Sequence, residues 1–267
     1  MDVTRHYLAP SIEDAYRVWH QHPNNALLSG GLWLKKIGTP IETLIDLGNL
    51  GLDQIVTTEQ GIIIGALTPL RDVEKHPDII AIGQGYISQA IGSIMGVGLR
   101  NLATIGGSIA GKYPFSDVIT ALLTLDVTLS FYPDHTMTLT DFLDQRGKLE
   151  TILTHIHIKK SDVVGYFKKI GNTPLDFAII NLAIAYRKND IRISVGSRPA
   201  VAKLAIKTAE YLNDLTTIEP PHIEEAARRM LDELNFASTM AASGDYRRTL
   251  ASAYLKRGLK EVLGHDR

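Results

Sequence analysis

The sequence contains no cysteine. Disulfide frameworks, thiolate zinc sites, cysteine nucleophiles and iron–sulfur ligation by this chain are therefore excluded. It also lacks an apolar run of about 18 residues, so we expect no membrane span. The start, MDVTRHYLAPSIED, has neither the basic region nor the apolar region of a signal peptide. These absences favour a cytoplasmic protein.

The chain also has no large excess of positive or negative charge. The chain has 28 basic and 29 acidic residues, which gives a net charge of −1. Nothing in this balance attracts nucleic acid or an anionic membrane, and we expect neither as a partner. Of the 267 residues, 45% are hydrophobic, which is enough for a large core in one or two domains.

The N-terminal part predicts alternating helices and strands. Ser11, with Asp14 three residues later, predicts a helix start in SIEDAYRVWHQH. Thr68 before Pro69 predicts a second start, with threonine as N-cap and proline at the first helical position. Strand candidates are NNALLSGG, ETLIDLGNL, residues 62–64, VTLSFYPDHTMTLT as a hairpin, and TILTHIHIKK.

The pattern changes near Asp162. Apolar, β-rich runs meet across Asn189-Asp190, which is a strong turn signal. Three helical segments follow, namely VAKLAIKTAEYLN, HIEEAARRMLDELN and DYRRTLASAYLKRGLKEVL. Strands followed by a block of helices predict a second, α+β unit.

The stretch TIGGSIAGKYPFSD contains Gly106-x4-Gly111-Lys112, the first part of a phosphate-binding P-loop. A working P-loop needs Ser or Thr next, to hold magnesium, but Tyr113 follows the lysine. The preceding residues also make a poor strand. A nucleotide hydrolase is therefore disfavoured, and two interpretations remain open: glycines that only shape a tight turn, or a loop that approaches another phosphate.

Two Gly-Gly pairs support the second interpretation. Gly30-Gly31 follows the hydroxyl residue Ser29, and Gly106-Gly107 lies close after Thr104. Glycines let a backbone come close to a ligand and direct several N–H groups at one point, which suits a diphosphate. The dinucleotide fingerprint G-x-G-x-x-G is absent from a strand–turn–helix setting, so a Rossmann-type domain is not expected.

Other candidate groups have simpler interpretations. His155 and His157 lie on one face of a predicted strand, and we favour a polar strand face, with the alternating isoleucines in the core, over a metal pair. For the adjacent lysines Lys168 and Lys169, strand alternation allows one to turn inwards, but spacing alone favours a solvated edge strand that both lysines protect. The basic groups in DYRRTLASAYLKRGL indicate the solvated face of an amphipathic helix.

Taken together, these segments resemble the flavoprotein (medium) subunit of the molybdenum hydroxylases, the family that includes xanthine dehydrogenase and carbon monoxide dehydrogenase. Four blocks in the expected order carry the resemblance, and they span nearly the whole chain. They are LLSGGLWL, GLRNLATIGGSIAGKYPFSD, GYFKKIG and DYRRTLASAYLKRGL.

The resemblance implies an α+β fold of two domains. Residues 1–163 would form an FAD-binding domain of the vanillyl-alcohol oxidase/molybdopterin dehydrogenase type, with lobes at about 1–55 and 56–163 and FAD between them. Residues 164–267 would form a carbon monoxide dehydrogenase flavoprotein-type domain, with an antiparallel sheet and helices.

The resemblance also implies site residues, with FAD as the cofactor. The first loop would wrap the FAD diphosphate through its backbone, and it comprises Leu27, Leu28, Ser29, Gly30, Gly31, Leu32, Trp33 and Leu34. The second loop would hold the diphosphate from the other lobe, and it comprises Ala103, Thr104, Ile105, Gly106 and Gly107. Asp117 would bind a cofactor hydroxyl, Leu153 would pack beside the cofactor, and Lys168 would approach the isoalloxazine. No catalytic acid or base and no metal is expected.

Such an oxidoreductase subunit would pass electrons from iron–sulfur clusters through FAD to NAD or another acceptor. An iron–sulfur subunit and a molybdopterin-binding subunit would be its partners, in a hetero-oligomer. The sequence departs from the family pattern at Leu32-Trp33, at Ser108, which replaces an asparagine, and at Asn172-Thr173, where arginine is common. Two alternatives stay open: an assembly or regulatory subunit with weak or lost FAD binding, and a stand-alone oxidase of the vanillyl-alcohol oxidase type.

Overall fold

The computed structural model describes residues 2–34, 38–147, 149–198 and 200–264. The chain divides into two compact units. The first unit comprises residues 1–73, 97–111 and 127–158, and the second comprises 74–96, 112–126 and 159–267. Each unit is assembled from segments that are distant in sequence. The boundary at 163/164 stays a prediction.

Helices and strands alternate through the N-terminal part and separate into strands and then helices near the C-terminus. In chain order the elements are β1 (Val3–Leu8), α1 (Ile12–Trp19), β2 (Ala26–Leu28), β3 (Ile41–Asp46), β4 (Ile55–Thr57), β5 (Gly61–Gly65), α2 (Leu70–Lys75), α3 (Pro77–Ala81), a 3-10 segment (Ile82–Gly85), α4 (Tyr86–Gly92), α5 (Val97–Arg100), α6 (Ile105–Ala110), α7 (Asp117–Leu122), β6 (Val127–Tyr132), β7 (His135–Thr138), α8 (Leu139–Asp144), β8 (Ile152–Lys159), β9 (Val164–Ile170), β10 (Ile180–Arg187), β11 (Asp190–Gly196), β12 (Lys203–Leu204), α9 (Ile206–Asn213), α10 (Pro220–Glu233) and α11 (Gly244–Leu263).

The first unit contains two sheets. A three-stranded parallel sheet has the order β1-β3-β2, and a five-stranded sheet has the order β4-β5-β8-β6-β7. Helix α1 begins as the sequence predicts, since the Ser11 hydroxyl accepts a hydrogen bond from the N–H of Asp14 at 3.2 Å. Ala15 and Val18 of α1 pack with Ile45 of β3 in the core of this unit.

The predicted start of α2 is wrong. The helix begins at Leu70, and the Pro69 carbonyl accepts its first bond, from the N–H of Val73 at 3.2 Å. Pro69 forms an isolated bridge with Thr104, which keeps the chain extended up to the proline. The Thr68 hydroxyl has no hydrogen-bond partner among the described residues, so it does not cap the helix.

The second unit has the predicted strands-then-helices architecture. Its four-stranded antiparallel sheet has the order β12-β11-β10-β9, and buried side chains of α9, α10 and α11 pack with this sheet in one core. Strands β10 and β11 form the hairpin predicted at Asn189, which has φ +62°. One segment differs: the residues before α9 pair with β11 as β12, so the helix begins later than predicted.

The fold class expected from the resemblance, α+β with an antiparallel sheet and helices towards the C-terminus, is confirmed. None of the helices in the described ranges is long and apolar enough to cross a membrane.

Candidate functional site

The two glycine loops of the first unit lie side by side. The Ser29 hydroxyl is within hydrogen-bond distance of the Thr104 hydroxyl, with 2.5 Å between the two oxygens. Thr104 is the N-cap of α6, and its hydroxyl accepts a bond from the N–H of Gly107 at 3.1 Å. The structure therefore joins two segments that the sequence places about 75 residues apart.

The first glycine of each pair is required by packing inside the unit. A Cβ at Gly30 would lie 2.0 Å from the carbonyl oxygen of Leu102, and a Cβ at Gly106 would lie 2.5 Å from that of Ala66. Neither distance is possible for a real side chain, and the obstacle in each case is backbone. At these two positions glycine allows two backbone segments of the protein to pack closely together. This packing requires glycine whether or not a ligand binds.

The second glycine of each pair has a different environment. Gly31 has φ +70°, in the left-handed region that favours glycine. Gly107 is exposed, and a Cβ there would meet first the Thr104 hydroxyl, at 3.0 Å. These two positions leave the backbone accessible.

Backbone donors of the second loop are already used. The N–H of Gly106 donates to Ala66 at 2.9 Å, and that of Ile105 donates to Thr68 at 3.0 Å. The N–H of Gly107 bonds the Thr104 hydroxyl, as described above. The expectation that the amides of Gly106 and Gly107 hold a diphosphate stays a prediction, and it now requires these N–H groups to share or exchange their acceptors.

The first loop differs in this respect. The N–H groups of Gly30, Gly31 and Leu32 donate to no acceptor within the part of the chain that the structure describes. Three successive peptide donors beside a hydroxyl pair are suited to an anion with several oxygens. This loop therefore fits the diphosphate of a dinucleotide.

The other residues expected to bind the cofactor from the first unit lie in strands, a turn and a loop. Leu27 and Leu28 belong to β2, where they pair with Ile45 and Asp46 of β3. Trp33 and Leu34 follow in a half-buried turn, and Leu153 is half-buried in β8. The Ala103 carbonyl accepts a bond from the N–H of Leu70 at 2.7 Å.

A P-loop geometry is excluded. Residues 106–112 cover helix α6 and its end, where Gly111 is the C-cap. The helix α5 precedes them in place of the strand that a P-loop follows.

Asp117 lies in the second unit, at the first position of α7, and is 4% exposed. Its Oδ1 accepts a hydrogen bond from Asn181 Nδ2 at 2.6 Å. Its Oδ2 lies 3.7 Å from Lys169 Nζ and 3.4 Å from Ser93 Oγ. Burial raises the pKa of Asp117 to about 6, although the Asn181 hydrogen bond and the Lys169 charge act in the opposite direction.

The two adjacent lysines of β9 take opposite faces. Lys168 is exposed, and its Nζ lies 5.8 Å from the centre of the Tyr254 ring. Lys169 turns inwards, with a side chain only 9% exposed. The interpretation that spacing favours, an edge strand with both lysines solvated, is therefore wrong for Lys169, which alternation turns into the protein. The approach of Lys168 to a flavin stays a prediction.

Three polar residues around Asp117 were missed from the sequence: Ser93, Lys169 in this role, and Asn181. Asn181 had a visible signal, since it is the only polar residue in the run AIINLAIA, most of which lies in a strand that is buried on both faces. Asparagine with no exposed surface requires hydrogen-bond partners, and these were not identifiable from sequence spacing.

The expected solvated face of the C-terminal helix is wrong at one position. Arg247 of α11 is 3% exposed. Its guanidinium donates to the carbonyl groups of Ile179 and Ser197 and, at 2.7 Å, to the Thr239 hydroxyl. The helix-face prediction takes every cation of this segment as solvated, whereas Arg247 is buried and donates to two backbone carbonyls and a hydroxyl.

The histidine pair has the polar-face arrangement that we favoured. Ile156 and Ile158 are buried, while His155 and His157 are half-buried on the other face of β8. Ser130 Oγ lies 2.8 Å from His157 Nε2. Burial lowers the pKa of both imidazoles, which favours their neutral forms.

Comparison with known families identifies the class of protein. Residues 2–160 match the FAD binding domain in molybdopterin dehydrogenase, and residues 165–262 match the CO dehydrogenase flavoprotein C-terminal domain. The chain therefore belongs to the FAD-binding subunits of the molybdenum hydroxylases, as an oxidoreductase subunit with FAD as its cofactor.

Curated relatives have low identity but cover much of the chain. The glyceraldehyde dehydrogenase medium chain of Sulfolobus acidocaldarius is 25% identical over 280 residues, covering 95% of this chain and 96% of the relative. The nicotinate dehydrogenase FAD-subunit of Eubacterium barkeri is 27% identical over 210 residues, covering 69% of each chain.

Solved structures share the fold. A chain of carbon monoxide dehydrogenase from Hydrogenophaga pseudoflava aligns with a TM-score of 0.89 at 21% identity, covering 97% of both chains. A chain of quinoline 2-oxidoreductase from Pseudomonas putida 86 aligns with a TM-score of 0.87 at 19% identity, covering 98% of this chain and 97% of the other.

Proposed function

We propose that this chain is the electron-transfer subunit of a larger complex, in which electrons pass from iron–sulfur clusters on one partner through FAD to NAD or another acceptor. Family membership supports the flavin step. The absence of cysteine supports the separate iron–sulfur partner, because such clusters are held by cysteine thiolates. A molybdopterin-binding subunit that oxidises the substrate is the second partner, and we place the complex in the cytoplasm.

The N–H groups of Gly30, Gly31 and Leu32, which have no acceptor among the described residues, are the observation that carries the cofactor site. In this proposal they bind the FAD diphosphate, and the Ser29–Thr104 hydroxyl pair completes the polar surface beside them. When bound, FAD supplies the electron transfer, while the protein supplies binding, orientation and electrostatics. Backbone donors explain how the loop tolerates the apolar side chains of Leu32 and Trp33.

The remaining roles belong to the same proposal. The flanking residues of the two loops, Leu153, Asp117 and Lys168 contribute as the family resemblance implies. Residues 1–163 form the FAD-binding domain, and 164–267 form the C-terminal domain.

A second candidate function is an assembly subunit that keeps the fold and has lost tight FAD binding. Leu32-Trp33 favours it, because these residues replace smaller polar residues of the family pattern, and a lost side-chain hydrogen bond weakens binding by about 0.5–1.5 kcal/mol. Such a subunit would co-purify with its partners while it shows no saturable FAD binding.

Titration with FAD and with riboflavin, which lacks the diphosphate, tests the cofactor site. We expect the wild-type chain to bind FAD far more tightly than riboflavin. Leu32→Pro removes one of the three N–H donors and should lower FAD affinity while riboflavin affinity stays unchanged. Equal losses for both ligands would show that the loop does not bind the diphosphate.

Anaerobic addition of NADH to the FAD-loaded chain tests the acceptor, by the reverse direction of electron flow. Bleaching of the visible flavin absorption is expected if NAD is the acceptor. A flavin that dithionite bleaches and NADH does not would assign a different acceptor.

A further inference from the structure

The carboxylate of Asp117 is held on one side by a fixed amide. Asn181 Nδ2 donates to Oδ1 at 2.6 Å, and the amide oxygen of Asn181 lies 2.9 Å from the Thr120 hydroxyl, whose single proton also has the Ser116 carbonyl within reach at 2.9 Å. Because an ionised carboxylate can only accept hydrogen bonds, the amide presents its NH₂ group, and not its oxygen, to Asp117. The Asn181 amide therefore fixes the position of Oδ1 and supplies its hydrogen bond.

Lys169 lies on the other side of the carboxylate. Its Nζ is 3.7 Å from Oδ2, and it donates a hydrogen bond of 2.8 Å to the carbonyl oxygen of Ser93, at the end of α4. Both side chains of the pair are less than one tenth exposed. Lys169 therefore acts on Asp117 mainly through its charge, since 3.7 Å exceeds a direct hydrogen bond.

Oδ2 receives no short hydrogen bond from the described residues. Ser93 Oγ is the nearest donor, at 3.4 Å, but its single proton has a better acceptor in the Ala90 carbonyl at 2.7 Å. A carboxylate oxygen that is buried usually has its acceptor sites filled. This oxygen has capacity for one more donor, such as a hydroxyl of a bound ligand.

We propose that Lys169 is a positioning residue that keeps Asp117 ionised, so that Oδ2 accepts a hydroxyl of FAD and cofactor affinity depends on pH through this pair. The proposal rests on the proposed function, which places a cofactor hydroxyl at Asp117. It adds the residue that sets the charge of that acceptor.

The groups that face Asp117 fix the expected direction of the pH effect. Lys169 of β9 is the charged one, and Asn181 of β10 and Ser93 after α4 are neutral, among the residues that the structure describes. Burial raises the pKa of Asp117 to about 6, and the Asn181 hydrogen bond and then the Lys169 cation oppose this rise. Removal of the cation leaves only the hydrogen bonds to oppose desolvation and raises that pKa further. A protonated Asp117 is a weaker acceptor, and FAD affinity should fall.

The test measures the dissociation constant for FAD as a function of pH, with flavin fluorescence as the signal. The proteins compared are wild type, Lys169→Met and Lys169→Arg. For wild type we expect affinity to fall about tenfold as pH decreases through about 6, the difference between a charged and a neutral acceptor. Lys169→Met should move the midpoint upwards by about one pH unit or more, and Lys169→Arg should restore most of the wild-type profile.

Lys256→Met is the matched control. Lys256 Nζ pairs with Glu224 Oε2 at 3.0 Å, a shorter distance than in the Lys169 pair, but on the surface of the same unit. The Lys256→Met substitution should leave the pH profile of FAD binding unchanged. If Lys169→Met does not fold, the double variant Asp117→Asn/Lys169→Met removes both buried charges, and its FAD affinity should not vary across the same pH range.

The outcomes separate the two proposals. Saturable FAD binding by wild type, with the same midpoint in Lys169→Met, would overturn the role of Lys169 and leave the flavin function intact. No saturable FAD binding by wild type would overturn the proposed function, and the role of Lys169 with it.

Discussion

Replacement of Asp117 by asparagine should change how stability depends on pH, even without cofactor. The pKa of Asp117 is raised from 3.8 in the unfolded chain to about 6 in the folded protein, chiefly by burial. A carboxyl whose folded pKa is raised binds its proton more tightly in the folded state. Its contribution to stability is present in full below the unfolded pKa and is lost as pH rises through about 6.

The magnitude follows from the size of the shift. About two pKa units correspond to roughly 3 kcal/mol, of which about 2 kcal/mol is lost between pH ~4.5 and ~7.5. Asparagine keeps the size of the side chain and has no such titration. The free energy of unfolding of wild type should therefore fall by about 2 kcal/mol relative to Asp117→Asn across this range.

Urea unfolding of both proteins at several pH values measures this difference. Subtraction removes the contributions of His155 and His157, whose lowered pKa values are the same in both proteins. A difference that stays constant with pH, or one in which wild type gains relative stability as pH rises, would refute the account of a buried, desolvated carboxyl.

Three further substitutions test the packing around the site. Gly106→Ala should cost about 1–3 kcal/mol in thermal or urea unfolding, because its Cβ meets the Ala66 carbonyl, and an unchanged melting temperature would contradict this. Gly107→Ala should keep the melting temperature, because the position is exposed, yet weaken FAD binding in a titration by crowding the Thr104 hydroxyl; equal FAD affinity would contradict it. Arg247→Met should cost about 3 kcal/mol in urea unfolding by leaving buried acceptors without donors, and a loss below about 0.5 kcal/mol would contradict that role.

Local signals in the sequence predicted local structure well. The Ser11 cap, the Asn189 turn and the order of strands and helices near the C-terminus depend on residues within a few positions of each other, and the structure confirms them. The predicted start of α2 is wrong because a bridge to Thr104, which is distant in sequence, keeps Pro69 extended.

The candidate site could be predicted from sequence motifs, but its contacts could not. Motifs indicated the two glycine loops, yet the reason for Gly30 and Gly106 is a backbone contact that no spacing reveals. Strand alternation only allowed one inward lysine, because the partner that distinguishes Lys169 from Lys168 comes from α7, in another part of the sequence. Buried polar partners depend on tertiary contacts, and these are the part that sequence patterns leave undetermined.

The central claim is that the chain binds FAD through its own loops. The most direct test is a visible spectrum of the purified chain during titration with FAD, with chromatography of the cofactor released by heat. The account predicts saturation at about one FAD per chain and release of intact FAD. A chain that shows no flavin spectrum and no saturable binding would contradict it, and the assembly subunit would then be the better description.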